Sequence, residues 1–585
     1  MLSTYTYPRY AYHRPVELDT PGLVKRHPVV VIGAGPVGLA AAIDLAQQGL
    51  DVVLLDDDNT VSVGSRGLCY SKRTLEILDR LGCGQPVVDK GVTWNVGRTF
   101  FGENEVFHFN LQPEADHQRP GMVNLQQYYL EEYLVTRAAS LPNIDLRWQN
   151  KVVGVRSKDD GALIEVETED GRYSLNADWL VVADGARSPV RRQLGLDIEG
   201  KVFQDRFLIA DVVMAAEMFA EGAAERWFWF DPPFHPNQSV LLHREADNVW
   251  RIDFQLGWDT DPEAEKLPER VIPRIRAMLG PEREFKLEWV SVYTFQCRRM
   301  QQFRHDRLLF VGDAAHQVSP FGARGANSGI QDTDNLAWKL KLVIDGLAPA
   351  GLMDSYSAER VAAADENLLN STRSTDFITP KSAVSKDFRN AVLTLAGEFA
   401  FARALVNSGR LSVPAHLTES SLNTPDTQFF DGVMHPGAPM ADAPVLHDGH
   451  ASWLLGHTGN QFVLMLFIDD QSSLHTATRA ATLATIERLA RGAIPVRTLI
   501  VSAHGPEVLL DALPDDNALA PPATPDPLPA GCTRVLEHGG AVARRFDARP
   551  GTAYLLRPDQ HVAARWRHLD EATVLAALAR ATGQA

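Results

Sequence analysis

VVVIGAGPVGLAAAIDLAQQG, residues 29–49, decides the fold of this chain. Four apolar β-branched residues read as a buried strand. Gly33-Ala34-Gly35-Pro36-Val37-Gly38 reads as a turn, and the alanine-rich run after it as a helix closing on Gly49. In this turn Gly33 permits the tight bend, Gly35 lets backbone approach a pyrophosphate, and Gly38 allows close helix–strand packing. The helix N-terminus adds N–H donors and the positive end of its dipole. A second strand, 51–55, ends in an acid 18 residues beyond Gly38. That acid is Asp56, placed for ribose hydroxyls, with Asp57 and Asp58 as adjacent competitors. Glycine turn, helix, strand and acid together make the dinucleotide fingerprint of an α/β domain.

Two more strand ends carry the same kind of equipment. WLVVADGARSPVR, 179–191, delivers Asp184-Gly185 to a turn, with Arg191 on the helix that follows. RLLFVGDAAHQVSPFGARGANSGIQDTDNLAWKL, 307–340, reads as a buried strand, Gly312-Asp313, a loop of small residues and a helix beginning near Asn327. There Gly325, Ala326 and Asn327 put backbone N–H groups at a helix start. His316 reads either as a general base or as a histidine satisfied within the loop, and the residues do not choose between them.

Length and composition bound the rest. The 585 residues allow roughly three to five domains. A net charge of −17, from 57 basic and 74 acidic residues, with no Lys/Arg stripe, argues against nucleic acid as a partner. Four cysteines without a CxxC favour a reducing, cytoplasmic setting and no metal site. No apolar run reaches membrane-spanning length, and the N-terminus lacks an apolar signal core. Residues 151–182 read as three short strands, while 96–123 and 200–296 are β-rich and aromatic. Helical patterns cover 71–81, 125–139, 333–346 and 353–410. Ser, Thr, Pro, Asp and His cluster over 408–450, a linker or wrapping segment. Beyond it come strand 462–468, helix 476–490, strand 496–501, a Pro-rich stretch at 520–529, strands 553–557 and 561–565, and helix 571–581.

The order GxGxxG, ADG, GDAAH resembles the single-component FAD-dependent aromatic hydroxylases. These are the group A flavoprotein monooxygenases, of the p-hydroxybenzoate hydroxylase and phenol hydroxylase-like kind. The resemblance covers about residues 27–370. Arg66 in GSRGLCYSKRTLEILDRLG and Gln127 in QQYYLEEYL extend it, at positions that lie along FAD in that family. It implies Gly33, Gly35, Pro36, Val37, Gly38, Asp56 and Asp57 on the ADP half of FAD. It implies Asp184 where flavin and nicotinamide pass, Gly312 and Asp313 on the ribityl and pyrophosphate, and Pro320, Gly325, Ala326 and Asn327 about the isoalloxazine. The tail, AYLLRPDQHVAARW at 553–566, is similar to the C-terminal thioredoxin-fold domain of the larger members, and without CxxC it suits an interaction or dimer-supporting role.

The implied architecture is α/β (α+β), with a Rossmann-type FAD domain, an interleaved β-sheet substrate domain and a thioredoxin-like domain. The boundaries are an arm (1–26), the FAD domain with a helical extension (27–95, 124–200, 297–410) and the substrate domain (96–123, 201–296). A linker (411–450) and the thioredoxin-like domain (451–585) follow. The implied activity is NAD(P)H-dependent hydroxylation of a small phenolic compound by FAD and O2 through a flavin C4a-hydroperoxide, in a homodimer without nucleic acid or membrane. With no second GxGxxG, NADPH or NADH binds transiently. A hydroxylase of a larger polyketide-type phenol, a flavoprotein oxidase or dehydrogenase on the same fold, and a non-catalytic flavoprotein scaffold are the alternatives. Trp227, Trp229, His243, Trp250, Arg251 and Gln255 are the substrate candidates, of which strand alternation puts about half on the wrong face. No catalytic base is identifiable.

Two departures stand out. The family pattern P-x-x-GQG-x-N reads here Pro320-Phe-Gly-Ala323-Arg324-Gly325-Ala-Asn327. Arg324 either stabilises anionic reduced flavin, or points to solvent or pairs with a neighbouring acid. Trp227-Phe-Trp229-Phe-Asp231-Pro232 brushes the WxWxIP pattern of flavin halogenases with Asp for Ile, and an aromatic strand accounts for it.

Overall fold

The computed structural model describes residues 2–20, 22–219, 224–408, 411–468, 476–502 and 530–585. Its contacts divide the chain into two compact units. The first comprises residues up to Pro113, Arg119–Ala337 and Arg360–Val413; the second comprises Glu114–Gln118, Trp338–Glu359 and Pro414–Ala585.

The first unit holds the dinucleotide sheet. Five strands lie side by side and parallel, in the order Leu308–Phe310, Gly171–Val182, Val24–Ile32, Val52–Leu55, Ile144–Arg147. Their apolar runs are buried on both faces, as parallel strands require. The first strand starts at Val24, so the end of the expected arm belongs to the sheet. The third expected strand begins at Gly171 and runs through Val182. Register fixes the site: Ile32 stands opposite both Leu55 and Val182, and Val182 opposite Phe310. Gly33, Asp56, Asp184 and Gly312, up to 279 residues apart in the chain, therefore emerge at one edge. Ligands of open α/β sheets bind at that carboxyl edge.

Buried charge ties these segments together. Arg80, in helix Lys72–Leu81, donates to Asp44 (2.8 Å) of the glycine-turn helix Pro36–Gln47 and to Asp334 (2.7 Å) of helix Gly325–Ile344. Arg73 reaches Asp334 as well, at 3.0 Å. The N-terminal arm packs on the same unit: Tyr5 stacks on Tyr128, Tyr10 on Trp148, and the Tyr7 hydroxyl accepts the Gly64 N–H at 2.8 Å.

A second eight-stranded sheet runs Glu199–Val213, Glu225–Phe230, Ser239–Arg244, Val249–Leu256 and Lys286–Arg299 beside Val96–Phe101 and Asn104–Asn110, with His316–Gln317 at one edge. One face packs on helix Pro268–Leu279 through Val271, Ile275 and Leu279. The expected β-rich segment 200–296 thus also contains helices.

The second unit has a seven-stranded sheet. Phe462–Ile468, Val496–Ser502 and Cys532–Glu537 are parallel, and Ala553–Leu556 and Val562–Trp566 add antiparallel strands. With helices Thr476–Ala490 and Glu571–Ala581, this is a thioredoxin-like order enlarged by the hairpin Pro444–His447/His450–Trp453. The hairpin and Cys532–Glu537 carry no signal in the sequence reading, and the Pro-rich stretch 520–529 lies outside the described residues. Lys339, Glu359, Arg557 and Asp559 form a buried ion network in this unit, with Glu359 2.7 Å from both Lys339 and Arg557.

Candidate active site

The glycine turn is built by contact. A Cβ at Gly33 would stand 2.4 Å from the Ala183 carbonyl, and one at Gly38 would stand 1.8 Å from the Gly33 carbonyl. A Cβ at Gly35 would meet nothing within 4 Å. Gly33 and Gly38 serve the protein's own packing, and Gly35 faces open space at the N-terminus of helix Pro36–Gln47. Asp56 accepts N–H groups from Ala34 (2.5 Å) and Asp58 (2.8 Å), which orients its carboxylate beside the turn. Burial pushes its pKa up to about 6, and those two N–H groups oppose the rise. Asp57 is exposed.

The second and third motifs meet through Arg191, which donates to the Ala186 carbonyl (3.0 Å) and the Ala314 carbonyl (2.6 Å). Asp184 accepts the Val190 N–H at 3.1 Å, and its other oxygen is buried without a hydrogen bond. The Asp313 side chain is exposed and hydrogen-bonds nothing among the described residues. The protein around it nonetheless desolvates the carboxyl and raises its pKa. His316 is buried behind Asp313: it stacks on Phe303 and lies 2.7 Å from Asp332. Asp332 also accepts from Arg360 (2.6 Å) and the Gly312 N–H (2.9 Å). The histidine is therefore part of the frame that holds Gly312, with its Nδ1 buried and without a hydrogen-bond partner among the described residues.

The loop 62–71 is fastened beside these motifs. Gln127 accepts the Gly67 N–H (2.8 Å) and donates to Glu131 (2.7 Å) and Ser62 (3.2 Å), so its amide braces the loop. Asn327 joins the loop to the third motif: its amide accepts the Ser71 N–H (2.9 Å) and donates to the Cys69 carbonyl (2.9 Å) and the Ala323 carbonyl (2.5 Å), the last accepting a short bond. Arg66 is exposed, with no hydrogen bond from its side chain among the described residues. Pro320 begins a turn in which its carbonyl accepts the Ala323 N–H at 3.0 Å, and helix Gly325–Ile344 starts with Gly325 and Ala326. An unbonded Asp184 oxygen, an accessible Asp313 carboxylate, a reachable Arg66 and open space over Gly35 suit a long ligand bearing pyrophosphate and hydroxyls. The residues present fit FAD.

The second sheet divides the six substrate candidates. Trp289, Asp211, Arg251, His243 and Arg226 stand opposite one another on successive strands and share a face. Asp253 and Gln255 follow Arg251 on that face at period two. Arg251 donates to the Ser65 carbonyl (2.7 Å) and to Asp253 (3.0 Å), and Ser65 bonds Glu245, so this face abuts the loop next to Arg66. Trp227, Trp229 and Trp250 are on the other face, in the core with helix Pro268–Leu279. Alternation thus puts these three on the face opposite His243, Arg251 and Gln255. Gln255 accepts the Ser239 N–H at 2.9 Å, at the far end of its strand.

The sequence reading missed Asp211, Arg226, Glu245, Asp253 and the aromatic wall beside them. Phe207, Phe228 and Phe295 share that face, and the Phe207 and Phe295 rings each lie 5.0 Å from Phe321 of the third motif. The spacing of Arg251, Asp253 and Gln255 inside a strongly apolar strand was the available signal. Burial raises the Asp211 and Glu245 pKa values, and it lowers that of His243, with Arg226 and Arg251 adding to the depression.

Comparison with known proteins agrees with this geometry. Residues 26–371 match the FAD binding domain family. Para-nitrophenol 4-monooxygenase of Pseudomonas sp. (strain WBC-3) is 30% identical over 339 residues, 57% of this chain and 82% of that protein. The 6-methylpretetramide 4-monooxygenase of Streptomyces rimosus is 28% identical over 596 residues, 96% of this chain and 94% of that protein. The crystal structure of the flavin-dependent monooxygenase PieE in complex with FAD and substrate superposes with a TM-score of 0.77 at 22% identity. That match covers 97% of this chain and 100% of the other, and it shows a shared fold. With four strand ends forming one cofactor edge and a buried polar sheet face beside it, the chain belongs to the FAD binding domain family of group A flavoprotein monooxygenases and is an FAD-dependent aromatic hydroxylase.

Proposed function

We propose that the enzyme binds its phenol as the phenolate on the polar face of the second sheet, with Arg226, Arg251 and His243 around the oxygen. Arg226 carries this reading. It is 3% exposed and donates to the Ser408 carbonyl at 3.2 Å, with no carboxylate at ion-pair distance among the described residues. A buried cation without a counter-charge costs several kcal/mol, and a phenolate supplies that charge. His243 stands opposite Arg226 on the next strand, and its buried Nδ1 has no hydrogen-bond partner. Burial keeps this imidazole neutral, and the two arginines that add to that effect also lower the pKa of a phenol placed beside them. Asp211 and Glu245, with pKa values raised by burial towards the working range of a general base, are the acceptors for the released proton.

Bound FAD, once reduced by NADPH or NADH, supplies the activated dioxygen, and an ionised ring is the better nucleophile for it. The protein orients the ring against Phe207, Phe228, Phe295 and Phe321 and keeps water from it. Asp56, Asp184, Asp313 and Arg66 would hold the cofactor along the strand ends. p-Nitrophenol, named in one relative, is a suitable probe because its phenolate is coloured. On the FAD-loaded enzyme, the bound probe should ionise roughly 1–3 pH units below the free probe. Arg226→Met should abolish that difference, and Arg226→Lys should retain part of it. A bound probe that titrates as it does in water would sink the reading.

The homodimer finds support in an apolar patch. Val384, Phe388 and Leu395 of helix Ala383–Ala396, with Phe399, Phe401 and Leu405, are exposed, Phe388 by 60% and Phe401 by 63%. Such a patch suits a second copy. Phe388→Glu with Phe401→Glu should yield monomers in light scattering, and an unchanged mass would place the dimer elsewhere. No helix among the described residues is long and apolar enough to cross a membrane, and the four unpaired cysteines favour the cytoplasm.

A further inference from the structure

We infer that the cleft between the far end of strand Val249–Leu256 and helix Ala383–Ala396 is a second ligand site, for a small organic carboxylate. The cleft has a volume of about 220 Å³ and lies in the first unit. Its lining includes Arg389, Lys386, Asn237, Gln238, Gln255 and Trp258.

Its charge is incompletely answered by the protein. Arg389 is 3% exposed, and its hydrogen bonds go to the Ile378 carbonyl (3.2 Å) and the Asn390 amide oxygen (3.0 and 3.1 Å). All of these acceptors are neutral, and no carboxylate lies at ion-pair distance among the described residues. Lys386, one helical turn earlier on the same side, donates to the Asn237 amide oxygen at 2.8 Å, another neutral acceptor. The acid in the lining, Asp205, is already engaged by the Lys381 ammonium and by the Trp258 N–H at 3.0 Å. Asp231 acts on Arg389 only through its field, and its carboxylate accepts the Asn237 N–H. Two cations thus line one cavity with only neutral hydrogen-bond acceptors, and the acid beside them, Asp205, is held by Lys381 and Trp258.

The rest of the lining suits an organic acid better than an inorganic ion. The Arg389 guanidinium lies over the Phe230 ring at 5.3 Å, and Trp258 and Leu256 supply apolar surface. Gln255 has its oxygen bound by the Ser239 N–H, which leaves its amide N–H groups as donors. A planar guanidinium matches a carboxylate through paired N–H···O bonds, and the amides serve the remaining lone pairs. Gln255 shares a sheet face with the Arg226–His243–Arg251 row, but it stands at the far end of its strand, and none of those three residues lines the cleft; Arg251 instead bonds the Ser65 carbonyl of the flavin loop.

Benzoate titrated calorimetrically into FAD-loaded Arg226→Met enzyme tests this, because the phenol site is disabled in that background. One saturable equivalent is expected, with no binding of neutral benzamide. Arg389→Met should weaken benzoate roughly tenfold or more, Arg389→Lys should weaken it less, and flavin content should stay constant. Should Arg389→Met not fold, Lys386→Gln, at a half-buried surface position, should give a smaller loss. Absence of saturable benzoate binding, equal binding of benzamide, or affinity untouched by both the Arg389 and Lys386 changes would overturn the assignment. Acetate forms the last arm: if it binds as tightly as benzoate, the apolar part of the proposal fails.

Discussion

Gly35→Ala and Gly38→Ala should separate cofactor binding from folding. The positions lie three residues apart in one turn, yet their surroundings are opposite. At Gly38 an added carbon sits 1.8 Å from the Gly33 carbonyl oxygen and 3.2 Å from Ala183. Contact distance exceeds the first value by about 1.5 Å, so the helix must move off the strand. Overpacking of that order costs about 1–3 kcal/mol or more, out of a total stability of about 5–15 kcal/mol. At Gly35 the backbone is extended, with φ −74° and ψ −178°, which alanine adopts freely. The loss there is an N-cap preference of no more than about 1 kcal/mol. The methyl enters the space over the turn where a pyrophosphate must approach. If the ligand meets it as overpacking, about 1–3 kcal/mol translates into a roughly 5- to 150-fold weaker Kd for FAD. Urea unfolding of flavin-free protein gives the first quantity, and fluorescence titration with FAD gives the second. Gly35→Ala should keep stability and lose FAD, whereas Gly38→Ala should lose stability first. Wild-type FAD affinity in Gly35→Ala would refute the assignment of that backbone to the cofactor. Wild-type stability in Gly38→Ala would refute the packing argument.

Arg80→Met leaves Asp44 and Asp334 buried without their shared cation and should cost about 3–5 kcal/mol in urea unfolding. Asp56 has a pKa raised to about 6 in the folded, flavin-free protein. Folding therefore takes up a proton between about pH 4 and pH 6, and the stability this adds is full below pH 4 and is lost as pH rises through 6. Asp56→Asn should flatten that part of the Tm-against-pH curve, and an unchanged slope would show that the carboxyl is not shifted.

The cofactor half of the molecule was legible because its signals are local. Gly33 to Gly38 and the acid at Asp56 lie within one strand–helix–strand unit, and each remaining motif is a strand end with its own turn. Parallel register then aligns them, a rule that needs only the strand order. Substrate residues were less legible because they depend on which face a strand buries. His243 and Trp250 look alike as candidates in sequence, but in the sheet the first shares a face with Arg251 and the second is its immediate neighbour pointing to the opposite core. Arg226 was invisible for the same reason. Among Trp227, Phe228 and Trp229 a single arginine reads as a strand edge, and its burial follows only from the strands on either side. The amides of Gln127 and Asn327 also brace the loop 62–71, a tie that their motif positions alone do not reveal.

The third motif shows how a departure from the family pattern is accommodated, and what it leaves to be felt at the cofactor. Ala323 replaces a glycine and still adopts the left-handed conformation, φ +52°, which for alanine costs about 1–2 kcal/mol. The turn so formed sends Arg324 inward: it is 1% exposed and donates to the Asn367 amide oxygen (2.8 Å) and the Leu411 carbonyl (3.3 Å). It does not point to solvent, and these two contacts fasten the loop to helix Leu352–Ile378 and to the segment after it. Tethering and charge are separable, because glutamine in the same place retains hydrogen-bonding capacity and removes the cation. A unit charge within roughly 10 Å of another, at an effective dielectric of 20, is worth about 2 kcal/mol, or roughly 40 mV for a two-electron couple. Arg324→Gln should therefore lower the reduction potential of the bound flavin by up to about that amount while urea stability changes little, if the cation favours the anionic reduced form. A potential that stays put while stability drops would make Arg324 a tether alone, and the replacement of the family's Gly-Gln would then concern the loop's anchorage and not the cofactor's chemistry.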